Sequence, residues 1–99
     1  MRRFNTKLLK FKQNDNSKLY TIYYNNRIVI VDAEKYNVFG NVLAVFKFNS
    51  LFVFELCEKI VYRRYVFYTD NEFLNVLVHI NNKRYIISKD CEITYLGTF

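Results

Sequence analysis

The chain reads as mainly β: antiparallel hairpins forming a small barrel or sandwich, or an α+β variant with one short helix near residues 70–77 or 51–68. Three observations predict this class. Phe and Tyr together number nineteen in 99 residues, and aromatic and β-branched side chains fit the pleated, half-buried surface of a strand. Several runs alternate with period two; in residues 18–24, Leu19, Thr21 and Tyr23 oppose Tyr20, Ile22 and Tyr24. Asparagine pairs fall between such runs, and Asn tolerates the positive φ that a two-residue hairpin turn demands. With two glycines and no proline, the turns have to be made from Asn, Asp and Ser.

The N-terminal segment is set apart by charge. Within the first eighteen residues Arg2, Arg3, Lys7, Lys10, Lys12 and Lys18 face a single acid, Asp15, so five of the net +6 charges lie there. The other 81 residues carry nine basic and eight acidic side chains and are nearly neutral. The chain therefore divides into a basic arm or edge segment, residues 1–17, and one compact β-rich domain, residues 18–99. As a helix, the arm places Phe4, Leu8 and Phe11 on one face between Arg3, Lys7 and Lys10, a form suited to an anionic membrane surface or a mitochondrial address. As a strand, it docks on the body and lines an edge with lysines, which also guards that edge against aggregation.

In the body, the run 18–24 and the β-branched run 27–31 flank Asn25-Asn26 and form a first hairpin. Residues 32–40, the longest polar stretch, read as a loop closed by Gly40. Runs 41–48 and 51–56 flank Asn49-Ser50 as another hairpin, and residues 60–68 follow as a strand. A helix competes here, because Phe54, Cys57, Val61, Tyr65 and Tyr68 recur at helical spacing behind a capping Ser50. The β-branched and aromatic content favours strands. Thr69 and Glu72 have the form of a capping box, opening a short helix that buries Phe73, Val76 and Leu77. That helix competes with a hairpin of residues 76–80 and 83–88 around Asn81-Asn82. Residues 24–27 and 80–83 match in type 56 positions apart, a likeness that an Asn-rich chain produces by chance. Residues 92–99 close the domain as a strand.

The chemistry-bearing residues point away from an enzyme. Cys57 and Cys91 form no Cys-x-x-Cys pair, and a reduced, intracellular pair is the default. With His79 they are the only soft metal ligands, and they are far apart in sequence. Ser17, Ser50 and Ser88 occupy turn-like settings rather than a nucleophile elbow. The carboxylate pairs Glu55/Glu58 and Asp90/Glu92 read as solvated charges, the latter opposing Lys83 or Lys89. No catalytic, cofactor or metal residue is assigned, and no cofactor is implied. The longest apolar run, residues 42–46, is far short of a membrane span. The N-terminus also lacks the apolar stretch of a secretory signal. A soluble intracellular protein is expected, in a host cytoplasm or a virion, since Phe, Tyr, Asn, Lys and Ile are the residues of AT-rich codons and so of many viral or mobile elements.

Two function classes remain. In the first, the aromatic body is an assembly or interaction protein binding a protein partner or itself, as a dimer or larger species, with Tyr62, Tyr65 and Tyr85 as interface candidates. In the second, the protein binds nucleic acid without sequence preference through Arg2, Arg3, Lys7, Lys10, Lys12, Arg63, Arg64, Lys83 and Arg84. The segment Tyr62-Arg63-Arg64-Tyr65 supplies both cations for phosphate and rings for base stacking. In a regular strand Arg63 and Tyr65 share one face while Arg64 shares the other with Tyr62, so the cluster acts as one surface only where the backbone bulges. Contact of the arm with a membrane surface is the weaker alternative.

Overall fold

Strand β5 (Val42–Lys47) sets the architecture. Its residues Val42, Leu43, Ala44, Val45 and Phe46 are all buried. Successive side chains of a strand point to opposite faces, so an apolar run without polar alternation has to be covered on both sides. The computed structural model, which describes residues 6–68 and 75–98, provides that cover with three antiparallel sheets stacked in layers.

The middle layer consists of β4 (Lys35–Phe39), β5, β6 (Ser50–Leu56) and β7 (Val61–Tyr68), adjacent in that order. One outer sheet contains β1 (Leu9–Gln13), β2 (Tyr20–Tyr24) and β3 (Arg27–Ala33), and the other contains β8 (Asn75–Ile80), β9 (Lys83–Ser88) and β10 (Ile93–Thr98). Leu43, Val45, Phe54 and Leu56 pack against Ile22, Tyr24, Ile30 and Ala33 of the β1–β3 sheet. On the other face Val42, Ala44, Phe46, Leu51 and Val53 pack against Val76, Val78, Ile80, Tyr85 and Ile87 of the β8–β10 sheet. The two faces of β5 and β6 thus seed two separate cores.

The hairpins follow from backbone sterics. Asn25 and Asn26 have φ of 52° and 62°, and Asn81 and Asn82 have 53° and 63°. Positive φ at both central residues matches the right-handed strand twist and is the type I′ signature. Between β5 and β6 the positive pair is Phe48 and Asn49, at 48° and 58°. Lys47 therefore pairs with Ser50, and the turn falls one residue earlier than the Asn49-Ser50 pair expected from sequence. The helical alternative over 51–68 does not form; those residues are β6, a short turn and β7. Of the 70–77 helix, residues 75–77 belong to β8, and the Thr69–Glu72 capping box lies outside the described residues.

Two segments differ from their sequence reading or resolve it. Residues 35–39, expected as loop, form edge strand β4. Tyr36 and Val38 pack on the core shared with the β1–β3 sheet, and the polar residues between them made the alternation look like a loop. Near the N-terminus, Thr6–Leu8 is a single 3-10 turn, and Leu9–Gln13 pairs along its whole length with β2. Lys10 and Lys12 are exposed, opposite Tyr23 and Thr21, while Phe11 lies opposite Ile22 and stacks on Tyr36 at 4.3 Å between ring centroids. No helix among the described residues is long and apolar enough to cross a membrane.

The β4 edge is stitched to the β9–β10 connection. Lys35 pairs with Asp90, Asn37 Nδ2 donates to the Cys91 carbonyl at 3.0 Å, and the Cys91 thiol approaches the Lys35 carbonyl at 3.7 Å. The ion pair of Asp90 is thus with Lys35, and Lys89 adds a weaker attraction. Cys57 and Cys91 are both buried and no disulfide joins them. Cys91 belongs to the core with the β8–β10 sheet. The Cys57 carbonyl accepts from the Tyr24 hydroxyl on the β1–β3 side.

Burial pushes the Cys91 thiol from an ordinary 9.0 up to about 12. A thiol raised in the folded state ionises first in the unfolded chain, so its contribution is intact below about pH 9 and is lost as pH rises toward the folded value. Between pH 9 and 10 stability is expected to fall with a Cys91 component of up to about 1.4 kcal/mol per pH unit. Denaturant titrations across that interval should show Cys91→Ser losing this component, whatever the substitution costs at neutral pH.

Candidate functional site

β7 is the longest strand and the least covered of the three that follow β4. β5 and β6 are buried on both faces, whereas every described position of β7 is half-buried or exposed, ending with Tyr68 at 86% exposure. Among the described residues no strand pairs with its outer edge. It contains no Pro and no acidic residue; its two arginines and one bulge near its start are the edge-blunting devices present.

The sequence cluster Tyr62-Arg63-Arg64-Tyr65 lies here, and the backbone does bulge. Glu55 pairs with Arg63 but Leu56 pairs with Val61, leaving Tyr62 as the extra residue. One unpaired residue re-aims its neighbours. The Arg63 guanidinium sits 5.1 Å from the Tyr62 ring centroid, and hydrogen bonds to Tyr62 and Tyr65 push its pKa above the ordinary value. Arg63, Tyr62 and Tyr65 thus form one group. Arg64 lies opposite Phe54, a residue of the core toward the β1–β3 sheet, and so belongs to the other face.

The remaining candidates are dispersed. Lys7 precedes β1, and Lys10 and Lys12 lie on it. Its ring Phe11 rests on Tyr36 of β4, the edge of the middle sheet opposite β7. Lys83 and Arg84 begin β9 in the other outer sheet. The positive side chains are therefore divided among three sheets. Arg2 and Arg3 lie outside the described residues. Tyr85 is 3% exposed, packed between Phe39 and Tyr95 at 6.0 and 5.6 Å, so its ring belongs to the core and offers no surface. Of the possible metal ligands, Cys91 belongs to the core with the β8–β10 sheet, Cys57 is buried outside both core clusters, and His79 is exposed on β8. The described residues hold no cluster of three or more His, Cys, Asp or Glu.

One residue reads differently from its sequence expectation. Glu55, expected as a solvated charge, is 3% exposed, and its Oε2 is buried with no hydrogen-bond partner among the described residues. It lies in a row across the middle sheet, Phe39–Val42–Glu55–Arg63, on the face toward β9. Its charge contributes, after burial and Tyr95, to the raised pKa of the Tyr85 phenol. Arg63, its cross-strand neighbour, turns to Tyr62 and Tyr65 instead of forming an ion pair with it. The available signal was local: Glu55 interrupts the apolar run of residues 51–56, between Phe54 and Leu56, both of which a buried strand sends inward.

Comparison of the chain with protein-family models, curated proteins and solved structures gives no match, so the site is read from its own chemistry.

A buried carboxylate oxygen without a partner costs more than an apolar side chain of similar size. Glu55→Leu is expected to raise stability by about 1–3 kcal/mol, measured by urea denaturation. Unchanged or lower stability would mean that the carboxylate has a partner that stabilises it.

Proposed function

We propose that the protein is a non-catalytic assembly protein whose middle sheet continues into a second copy through antiparallel pairing of β7 with β7. The observation that carries this reading is an eight-residue strand without an acid or a proline, paired on one side only among the described residues and left half open on both faces. Unpaired N–H and C=O groups along such a strand are a template for another strand. A second copy suits it well. Pairing about a two-fold axis at Tyr65 keeps faces matched, placing Arg64 opposite Val66, Arg63 opposite Phe67 and Tyr62 opposite Tyr68 of the other copy. No like charges then stand directly opposite, which cross-strand pairing requires. The isologous contact closes after two copies.

Nucleic-acid binding has one supporting observation, the Tyr62 bulge that gathers Arg63 with two rings. The dispersal of the other cations weighs against it, because a single strand is tracked by one continuous groove.

Sedimentation at tens of micromolar, roughly the range for a moderate interface, should give a dimer. Alternate residues of an antiparallel strand direct their amides to opposite neighbours. Of Arg63→Pro and Arg64→Pro, therefore, one should keep the fold and sediment as a monomer. A monomeric wild type overturns the assembly reading. A salt-dependent mobility shift with single-stranded DNA, lost in an Arg63→Gln/Arg64→Gln double variant, would favour the nucleic-acid alternative.

A further inference from the structure

A second feature lies at the end of the middle sheet where β6 turns into β7. A cavity of about 260 Å³ is lined by Tyr24, Arg27, Ile28, Val29, Lys59, Ile60 and Val61. One wall is the β2–β3 hairpin and the other is the β6–β7 turn. The walls are tied together at two points. The Tyr24 hydroxyl donates to the carbonyls of Cys57 and Glu58, and Asn25 Nδ2 donates to the Lys59 carbonyl at 3.2 Å. The cavity is therefore preformed, and the Tyr24 hydroxyl is engaged in holding it open.

Its lining has two chemical characters. Ile28, Val29, Ile60 and Val61 make it apolar, and Ile28 and Ile60 are 61% and 56% exposed at its mouth. Arg27 and Lys59 add two positive charges, no carboxylate lines the cavity, and neither cation has an ion pair among the described residues. Two unpaired cations beside an aliphatic slot complement an anion attached to a hydrocarbon chain, since charge fixes the head and apolar burial holds the tail. An apolar cavity of about 150 Å³ takes one benzene, so 260 Å³ holds a ligand of about ten heavy atoms by the same measure.

We infer that this cavity binds a monomeric, single-chain carboxylate amphiphile of medium length, with Arg27 and Lys59 holding the carboxylate and the four aliphatic residues holding the chain. The cavity shares only Val61 with β7, and the proposal stands without the edge pairing.

The experiment is an NMR titration of the full isotopically labelled chain with octanoate, octanol and octylammonium. Octanoate should bind with a Kd on the order of 0.1 mM, as ten ligand atoms at ordinary ligand efficiency allow, and its shifts should converge on residues 24–29 and 59–61. Octylammonium should bind at least about tenfold more weakly, the effect of one charge-assisted contact. In Arg27→Gln/Lys59→Gln, whose changes are confined to the cavity mouth, octanoate should weaken about tenfold while octanol is unchanged. Equal affinity for octanoate and octylammonium overturns the proposal, as do shifts scattered away from the cavity or no response at about 2 mM. Co-flotation with anionic phosphatidylglycerol vesicles without any response to monomeric octanoate also overturns it, and would assign the two cations to a membrane surface.

Discussion

The apolar run of β5 has to be covered twice, and the remainder of the molecule is arranged around that requirement. A strand buried on one face can sit at the surface of a two-layer sandwich; one buried on both faces cannot. Val42, Ala44 and Phe46 need one partner sheet and Leu43 and Val45 another. Each buried aliphatic side chain contributes roughly 1.5–3 kcal/mol by removal from water, so exposing either face would cost several kcal/mol. Two small outer sheets, each centred on a hairpin with an Asn-Asn turn, meet this need in a chain of only 99 residues.

Layering also explains where the molecule remains open. Four strands in the middle meet three on each side. Along one edge β4 is secured by Phe11 on Tyr36 and by the contacts of Lys35 and Asn37 with Asp90 and Cys91. The outer sheets leave β7 half open along the other edge, where the chain places its longest strand, its paired arginines and its most exposed tyrosine. The nearby Glu55 retains a buried, unpartnered oxygen. An edge of this kind in a positively charged chain keeps the strand available while making indiscriminate pairing less favourable.

Much of this was legible in the sequence because it depends on local rules. The Asn25-Asn26 and Asn81-Asn82 turns were readable, since few residues other than glycine tolerate positive φ. The strand character of residues 60–68 followed from β-branched and aromatic content, although helical spacing competed with it. The mainly β class built of antiparallel hairpins was legible, and its division into three sheets was not. The five-residue apolar run was visible, but which sheet would cover each face depends on contacts distant in sequence. β4 was missed because an edge strand with polar outward residues has the composition of a loop. The bulge at Tyr62 was named as a condition for a single cluster but could not be placed, because it depends on how Glu55 and Leu56 register with β7. Glu55 was misjudged because carboxylates are rarely buried without a partner.

The central claim is that β5 and β6 form a doubly covered core from which β7 projects as an edge that pairs with a second copy. Amide hydrogen exchange at low and high protein concentration tests both parts together. Amides of β5 and β6 are expected to exchange slowest, at rates set by global unfolding. Alternate amides of β7 are expected to exchange quickly in dilute solution and to become protected as concentration rises. Protection of β7 that is complete and independent of concentration, or fast exchange within β5, would contradict the account.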